Sequence, residues 1–76
     1  MMLRLKDLRE DKDLKQEEVA NLLGISQTNY SKYELGKINI PINSLIVLAD
    51  FYDTSIDYLL GITNDVKPYS RAKSIS

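Results

Sequence analysis

The chain contains no cysteine, no histidine and no tryptophan. Without cysteine and histidine it lacks the usual zinc ligands, the commonest general base and the thiol nucleophile. It has no means of forming a disulfide, which is typical of proteins kept in a reducing compartment. The remaining carboxylates, serines and lysines form no recognisable catalytic constellation. We therefore expect a protein that is not an enzyme and that uses no metal or other cofactor.

Long apolar runs and an excess of positive charge are also missing. No apolar run reaches the ~18 residues that a membrane span needs, and the charged start "MMLRLKDLRE" is unlike a signal peptide. We therefore expect a cytoplasmic protein with no membrane partner. Ten basic and eleven acidic residues give a formal net charge of −1. This balance predicts weak non-specific attraction to nucleic acid, although local charges and helix N-termini can still bind it.

The pattern that is present is helical. The 76 residues suffice for one small domain with a thin core. Apolar positions recur at helical spacing in five segments, and no alternating pattern of useful length predicts a strand. The predicted helices cover residues 3–12, 16–23, 27–35, 42–52 and 56–60. The polar stretch from residue 64 predicts a loose tail, so we expect a domain over residues 1–63 and a tail over 64–76.

Several helix ends have a chemical signal of their own. Ser26 and Ser55 are predicted side-chain N-caps, and Gly24 and Gly36 are predicted left-handed terminators. The fourth helix is apolar around much of its circumference, which predicts a central position. Its expected core residues are Leu45, Ile46, Leu48, Ala49 and Tyr52.

Only three residues, Gly24 to Ser26, separate the second and third helices. A three-residue turn that contains glycine between two short helices is the signature of a helix-turn-helix. On the third helix, Tyr30 and Tyr33 share one face, because successive residues are ~100° apart. We expect both tyrosines in the core, with their hydroxyls reaching water.

The outward side chains of the third helix suit the edges of DNA bases. Glutamine can pair with adenine, lysine can donate to guanine, and threonine can contact thymine. A helix fits the major groove, and its N-terminal residues reach deepest. We expect Gln27, Thr28 and Lys32 to read bases, and the DNA backbone to be contacted by Gln16, Asn29, Lys37 and Asn39. The helix alone leaves open that this face is merely solvated.

The sequence resembles the helix-turn-helix domains of phage lambda and Cro-type repressors and their bacterial relatives, over about residues 3–61. The similarity is clearest in "QEEVANLLGISQTNYSKYE", residues 16–34, where a small Ala20, Gly24 and the apolar positions stand in the family's register. "ELGK" and "DYLLG" are also family-like. The resemblance implies an all-α, compact five-helix DNA-binding domain in which helices 2 and 3 form the motif. It implies the same base and backbone contacts, with Ser31 added near the backbone.

The resemblance also implies a structural ion pair, partly buried, between Arg9 in the first helix and Glu34 near the end of the third. The chain departs from the family's pattern at Lys15, where threonine or serine is common and a side-chain cap is therefore lost. It departs again at Asp53, where glycine or asparagine is common. Because aspartate tolerates the left-handed conformation, we expect the turn at Asp53 to be kept.

The predicted function is that of a sequence-specific transcriptional regulator, a repressor, which binds a pseudo-palindromic operator in double-stranded DNA as a homodimer. The expected dimer surfaces are helix 5 around Tyr58 and the tail with Val66 and Tyr69. A monomeric protein is the alternative to this dimer. No effector domain fits in this length, so we expect regulation through concentration, proteolysis or a protein partner. Two alternatives remain: the DNA-binding part of a longer regulator, and a protein-interaction module, such as an antitoxin or anti-repressor, on the same fold.

Overall fold

The computed structural model describes residues 3–68, and every structural statement below concerns that part of the chain. It contains five α-helices and no strand, which confirms the predicted all-α class and order of elements. The helices are α1 Leu5–Asp11, α2 Gln16–Leu23, α3 Gln27–Leu35, α4 Ile42–Phe51 and α5 Ile56–Leu59. None of them is long and apolar enough to cross a membrane. The largest difference from prediction is at α1, which begins two residues later than residue 3.

The predicted caps are confirmed. The hydroxyl oxygens of Ser26 and Ser55 each accept a hydrogen bond from the backbone N–H three residues on, at 3.2 and 3.0 Å. Gly24 ends α2 with φ of 70°, and Gly36 ends α3 with φ of 71°. Glycine adopts these angles without the steric cost that a Cβ would bring. The turn between α2 and α3 is therefore specified by residues within it.

Two turns depend on aspartate in the left-handed region. Asp53 has φ of 53°, which confirms the prediction for the turn after α4. Asp13 has φ of 55°, which we did not predict. At the start of α2 the side-chain cap is missing at Lys15, as expected, but the backbone N–H of Lys15 donates to the Glu18 carboxylate at 2.9 Å. A helix-borne acceptor thus replaces part of the missing cap.

Tyr30 and Tyr33 both lie in the core, as predicted. Their rings meet edge to face, with centroids 6.4 Å apart and planes at 80°, which is a favourable aromatic geometry. Tyr30 has 0% exposure, and its hydroxyl is buried as well. The expectation that this hydroxyl reaches water was therefore wrong, because the surrounding helices cover the whole residue.

Helix α4 is less central than predicted. Leu45, Leu48 and Ala49 are buried, but Ile46 is 50% exposed and does not belong to the core. Its other outward apolar residues are Ile42, Val47 and Phe51. The prediction failed for Ile46 because an apolar helix face is buried only where another element covers it, and no element of residues 3–68 covers this one.

The segment after α5 is held against the helices. The Arg4 guanidinium lies 4.1 Å from the centre of the Tyr58 ring and donates to the side chain of Asn64 at 2.7 Å. The buried Thr54 hydroxyl donates to the Val66 carbonyl at 2.5 Å. The beginning of the expected tail is therefore hydrogen-bonded, and the division of the chain at residue 63 stays a prediction. Tyr69 lies outside the described residues.

The Tyr52 hydroxyl offers a test of the core. It is buried and has no hydrogen-bond partner within the described residues. Burial raises the pKa of Tyr52 to about 12, and the negative charge of Glu34 adds to this effect. An unfolded tyrosine ionises near ~10, so the unfolded chain loses this proton first as the pH rises. The stability that this difference contributes is complete below pH ~10 and is lost between pH ~10 and ~12.

We expect Tyr52→Phe to leave the free energy of unfolding at pH 7 unchanged or to raise it by up to ~1 kcal/mol, because it removes an unsatisfied buried hydroxyl. The variant should also lose less stability than the wild type between pH ~10 and ~12. Denaturant unfolding followed by circular dichroism at both pH values measures the two effects. A loss of more than ~1 kcal/mol at pH 7 would mean that the hydroxyl has a partner.

Candidate nucleic-acid interface

Most of the residues predicted to contact DNA converge on an open cleft beside α3. Gln16 comes from α2, Lys37 comes from the turn after α3, and the others lie on α3 itself. The lining residues are Gln16, Gln27, Thr28, Ser31, Lys32, Leu35 and Lys37. All three predicted base-reading residues and three of the five predicted backbone-contact residues are therefore brought together. We call this surface the α3 cleft.

The three predicted base-reading side chains are exposed and available. Gln27, Thr28 and Lys32 face solvent, and no side-chain hydrogen bond to any described residue occupies them. Gln27 is the first residue of α3, where a helix projects its side chains furthest into a groove. Their donors and acceptors thus remain free for an external partner that presents complementary groups.

The charge in the α3 cleft differs from that of the whole chain. Lys32 and Lys37 line it, and no carboxylate does. The acidic side chain of α3 itself, Glu34, is turned away and is paired with Arg9. The cleft is therefore locally positive although the formal net charge of the protein is −1. Such local fields, rather than the total charge, govern attraction at short range.

The structure contains the ion pair that the family resemblance implies. The Arg9 Nε donates to Glu34 Oε2 at 2.7 Å, and the Arg9 Nη2 donates to Oε1 at 3.1 Å. The side chains are only 12% and 4% exposed. The Arg9 Nη1 also donates to the Leu14 carbonyl at 2.9 Å. This two-point pair holds α3 against α1 and against the turn that precedes α2.

The Glu34 carboxylate is kept charged by its donors. Burial by itself would raise its pKa, but the hydrogen bonds from Arg9 and Gln16 and the charge of Arg9 outweigh burial and lower it. The buried Tyr30 hydroxyl has no hydrogen-bond partner of good geometry among the described residues, but it lies close enough to this carboxylate to help lower the Glu34 pKa. Burial and then the proximity of Glu34 raise the pKa of Tyr30. The position of α3, and hence of the cleft, depends on this buried charge.

Three of the residues predicted to contact the DNA backbone are less freely placed to do so than Ser31 and Lys37. The Gln16 side chain donates from Nε2 to Glu34 Oε1 at 3.1 Å, so one of its two amide hydrogens is already used. Asn29 is exposed on α3 but does not line the α3 cleft. Asn39 lines a separate cleft, formed with Leu3 and Leu45. Their contacts with a DNA backbone stay predictions.

Leu35 is the cleft residue that sequence reasoning missed. It is 64% exposed and ends α3. It follows Lys32 by three residues and Thr28 by seven, a spacing that places all three on one helix face. That spacing could have identified Leu35 as part of the surface, but the sequence-based prediction named only polar and charged side chains as DNA contacts. Within residues 3–68 no cluster of acidic side chains is placed to hold a metal ion.

Comparison with known proteins gives a consistent result. A family model described as helix-turn-helix matches residues 5–59. The chain is 38% identical over 72 residues to the uncharacterized HTH-type transcriptional regulator YobD of Bacillus subtilis, covering 95% of this chain and 64% of that protein. It is 41% identical over 58 residues to the HTH-type transcriptional regulator AnsR of Bacillus subtilis, covering 76% and 50%.

A phage protein is also similar. The cryptic phage CTXphi transcriptional repressor RstR of Vibrio cholerae is 39% identical over 58 residues, covering 76% of this chain and 52% of that protein. The chain thus spans between half and two thirds of the length of these three relatives. The shared part includes the whole of α1 to α5 in the family match.

Proposed function

The chain belongs to the helix-turn-helix family, and from this premise we propose that it is a sequence-specific DNA-binding transcriptional regulator. The observation that carries the proposal is the α3 cleft, where Gln27, Thr28 and Lys32 are exposed and unpaired on one helix beside a second lysine. The names of the relatives support the same class. A transcriptional regulator acts where the DNA lies, so we propose the cytoplasm as the location of this protein.

In the proposed mechanism, α3 enters the major groove and its N-terminal end reads base edges. Gln27 pairs with adenine N6 and N7, Lys32 donates to guanine O6 and N7, and Thr28 contacts thymine. The contacts to the backbone set the register and come from Ser31, Lys37, Asn29, Asn39 and the remaining amide hydrogen of Gln16. Repression follows from occupancy, because a protein that covers a promoter excludes the transcription machinery.

We propose that the protein binds a pseudo-palindromic operator as a homodimer, with recognition helices about one helical turn of DNA (~34 Å) apart. Apolar side chains near α5 support a contact there, because Ile62 and Val66 are exposed on the segment that follows it. Tyr58, which we expected at the dimer surface, is half-buried beneath Arg4 and offers less area. The molecular mass at micromolar concentration, measured by analytical ultracentrifugation with and without operator DNA, tests this assembly.

The main experiment selects an operator from random double-stranded DNA and then measures Kd against salt. We expect a Kd in the range of ~10⁻⁸ to ~10⁻¹¹ M for a specific site. The affinity should fall steeply between ~50 and ~200 mM salt as counterions are released. If no sequence is enriched and Kd for the random starting DNA stays above ~10⁻⁵ M without salt dependence, the DNA-binding proposal fails.

One observation favours a second candidate function. A groove between α2 and α4, apart from the α3 cleft, is lined mainly by apolar side chains, together with one carboxylate: Leu22, Ile46, Val47, Asp50 and Phe51. Apolar surface of this kind suits a protein partner. We therefore keep the protein-interaction module, an antitoxin or anti-repressor on this fold, as the alternative function. A failed operator selection together with a Phe51→Asp variant that loses binding to a captured partner would favour it.

A further inference from the structure

Leu35 is an apolar residue on a surface whose other members are polar or charged. Its side chain is 64% exposed, and it lines the α3 cleft together with Thr28, Ser31 and Lys32. A single exposed leucine is ordinary on a protein surface. This one differs because its spacing from Thr28 and Lys32 puts it on the same helix face as the proposed base-reading residues.

The chemistry of the major groove leaves few partners for such a side chain. Base edges there present hydrogen-bond donors and acceptors, and the apolar group among them is the C5-methyl of thymine. Leucine can neither donate nor accept, so against any other base edge it would remove water without replacing the hydrogen bonds. Against a thymine methyl it would bury apolar surface on both sides.

We propose that Leu35 is a specificity-determining residue that packs against the C5-methyl of a thymine in the operator. The proposal rests on the proposed function, since it requires α3 in the major groove. A helix rises ~1.5 Å per residue, so Leu35 lies ~4.5 Å from Lys32 along the axis of α3 and ~12 Å from Gln27. The thymine therefore neighbours the base pair that Lys32 contacts and is distinct from the one that Gln27 contacts.

The test replaces each thymine of the selected operator, one at a time, by deoxyuridine, which removes the methyl group and nothing else. For the wild type we expect one such replacement near the Lys32 position to weaken binding about fourfold, the value for one buried methyl-sized group. The Leu35→Ala variant should already bind the unmodified operator more weakly than the wild type does. Replacing that thymine by deoxyuridine should then have little further effect on the affinity of the variant.

Two variants keep the test specific. Leu35→Ala should melt at the wild-type temperature, because the side chain is exposed and outside the core, so weaker binding reports on contact and not on folding. Thr28 is the other methyl-bearing residue that lines the α3 cleft, and Thr28→Ser removes its single methyl group while it keeps the hydroxyl. The sensitivity to deoxyuridine near the Lys32 position should survive in Thr28→Ser and disappear in Leu35→Ala.

The outcomes distinguish a failure of the Leu35 proposal from a failure of the proposed DNA-binding function. If no operator is selected, DNA binding itself fails. If an operator is selected and no deoxyuridine weakens it, DNA binding stands and the role of Leu35 is overturned. If the sensitivity disappears in Thr28→Ser and persists in Leu35→Ala, the methyl contact belongs to Thr28, which also overturns the proposal.

Discussion

Arg9→Ala is expected to lower the free energy of unfolding by ~3 to ~5 kcal/mol, the cost of leaving one member of a buried ion pair without its partner. Glu34 would keep its burial and only the hydrogen bond from Gln16. The Leu14 carbonyl would also lose its donor. In a domain of this size such a loss is a large part of the total stability, so the variant should be partly unfolded at ambient temperature.

Equilibrium unfolding in urea, followed by circular dichroism, measures this loss. Lys6→Ala is the matched control, because it also removes one positive charge from α1 but at an exposed site, and it should change stability by less than ~0.5 kcal/mol. Arg9→Lys keeps the charge and loses the two-point geometry, so an intermediate loss is expected. Wild-type stability in Arg9→Ala would show that the pair contributes nothing.

The pH dependence identifies the cause of this effect. In the wild type the pKa of Glu34 is lowered, so the stability from its ionised form is present above the unfolded pKa of ~4.3 and is lost as the pH falls through the folded pKa. Without Arg9, burial should instead raise the pKa of Glu34. Protonation would then relieve the unpaired charge, and the difference between variant and wild type should shrink from pH 7 towards pH ~4. A difference that stays constant would point to lost packing instead.

The second large effect is expected for Gln27→Ala in DNA binding. Loss of a two-point contact to one base should weaken binding to the selected operator by ~1 to ~3 kcal/mol, about fivefold to 150-fold. Because Gln27 is exposed and makes no internal side-chain hydrogen bond in the described structure, folding should be unaffected. Binding to unrelated DNA should also stay the same, so the variant loses discrimination and keeps its background affinity.

Binding to a set of operators with single base-pair changes measures this loss position by position. Gln27→Ala should become indifferent at one base pair and retain the wild-type preferences elsewhere. Lys37→Ala is the contrasting variant, because a backbone contact should weaken all operators alike and reduce the salt slope by about one unit. Asn21→Ala, an exposed amide of α2 outside the α3 cleft, serves as the neutral control. If Gln27→Ala behaves like Lys37→Ala, Gln27 contacts the backbone and reads no base.

Much of the fold could be predicted from local sequence because its boundaries are made by local chemistry. Ser26 and Ser55 cap helices through hydrogen bonds that span three residues. Gly24 and Gly36 end helices through a backbone conformation of one residue. Asp13 shows where such reasoning is incomplete, since aspartate in a polar turn adopts several conformations and its neighbours choose among them.

The candidate site was predictable to a similar degree and for a similar reason. A helical repeat suffices to place Gln27, Thr28 and Lys32 on one face of α3, and the structure adds that Gln16 and Lys37 reach the same cleft. The engagement of Gln16 with Glu34 was not predictable, because it depends on how α2 and α3 pack. Leu35 was visible in the spacing, but its place among the lining residues required the assembled surface.

The sequence by itself determined the all-α class, the order of the helices and the turn between α2 and α3, because caps and terminators act over three or four residues. Only the tertiary structure decided which apolar side chains are covered. Leu48 is buried and Ile46, two residues earlier on the same helix, is half exposed. It also decided that the Tyr30 hydroxyl is enclosed and that Asn64 and Val66 are bound to the helices. Burial depends on contacts with residues that are distant in the chain, and the chemistry of neighbouring residues does not predict which of these contacts form.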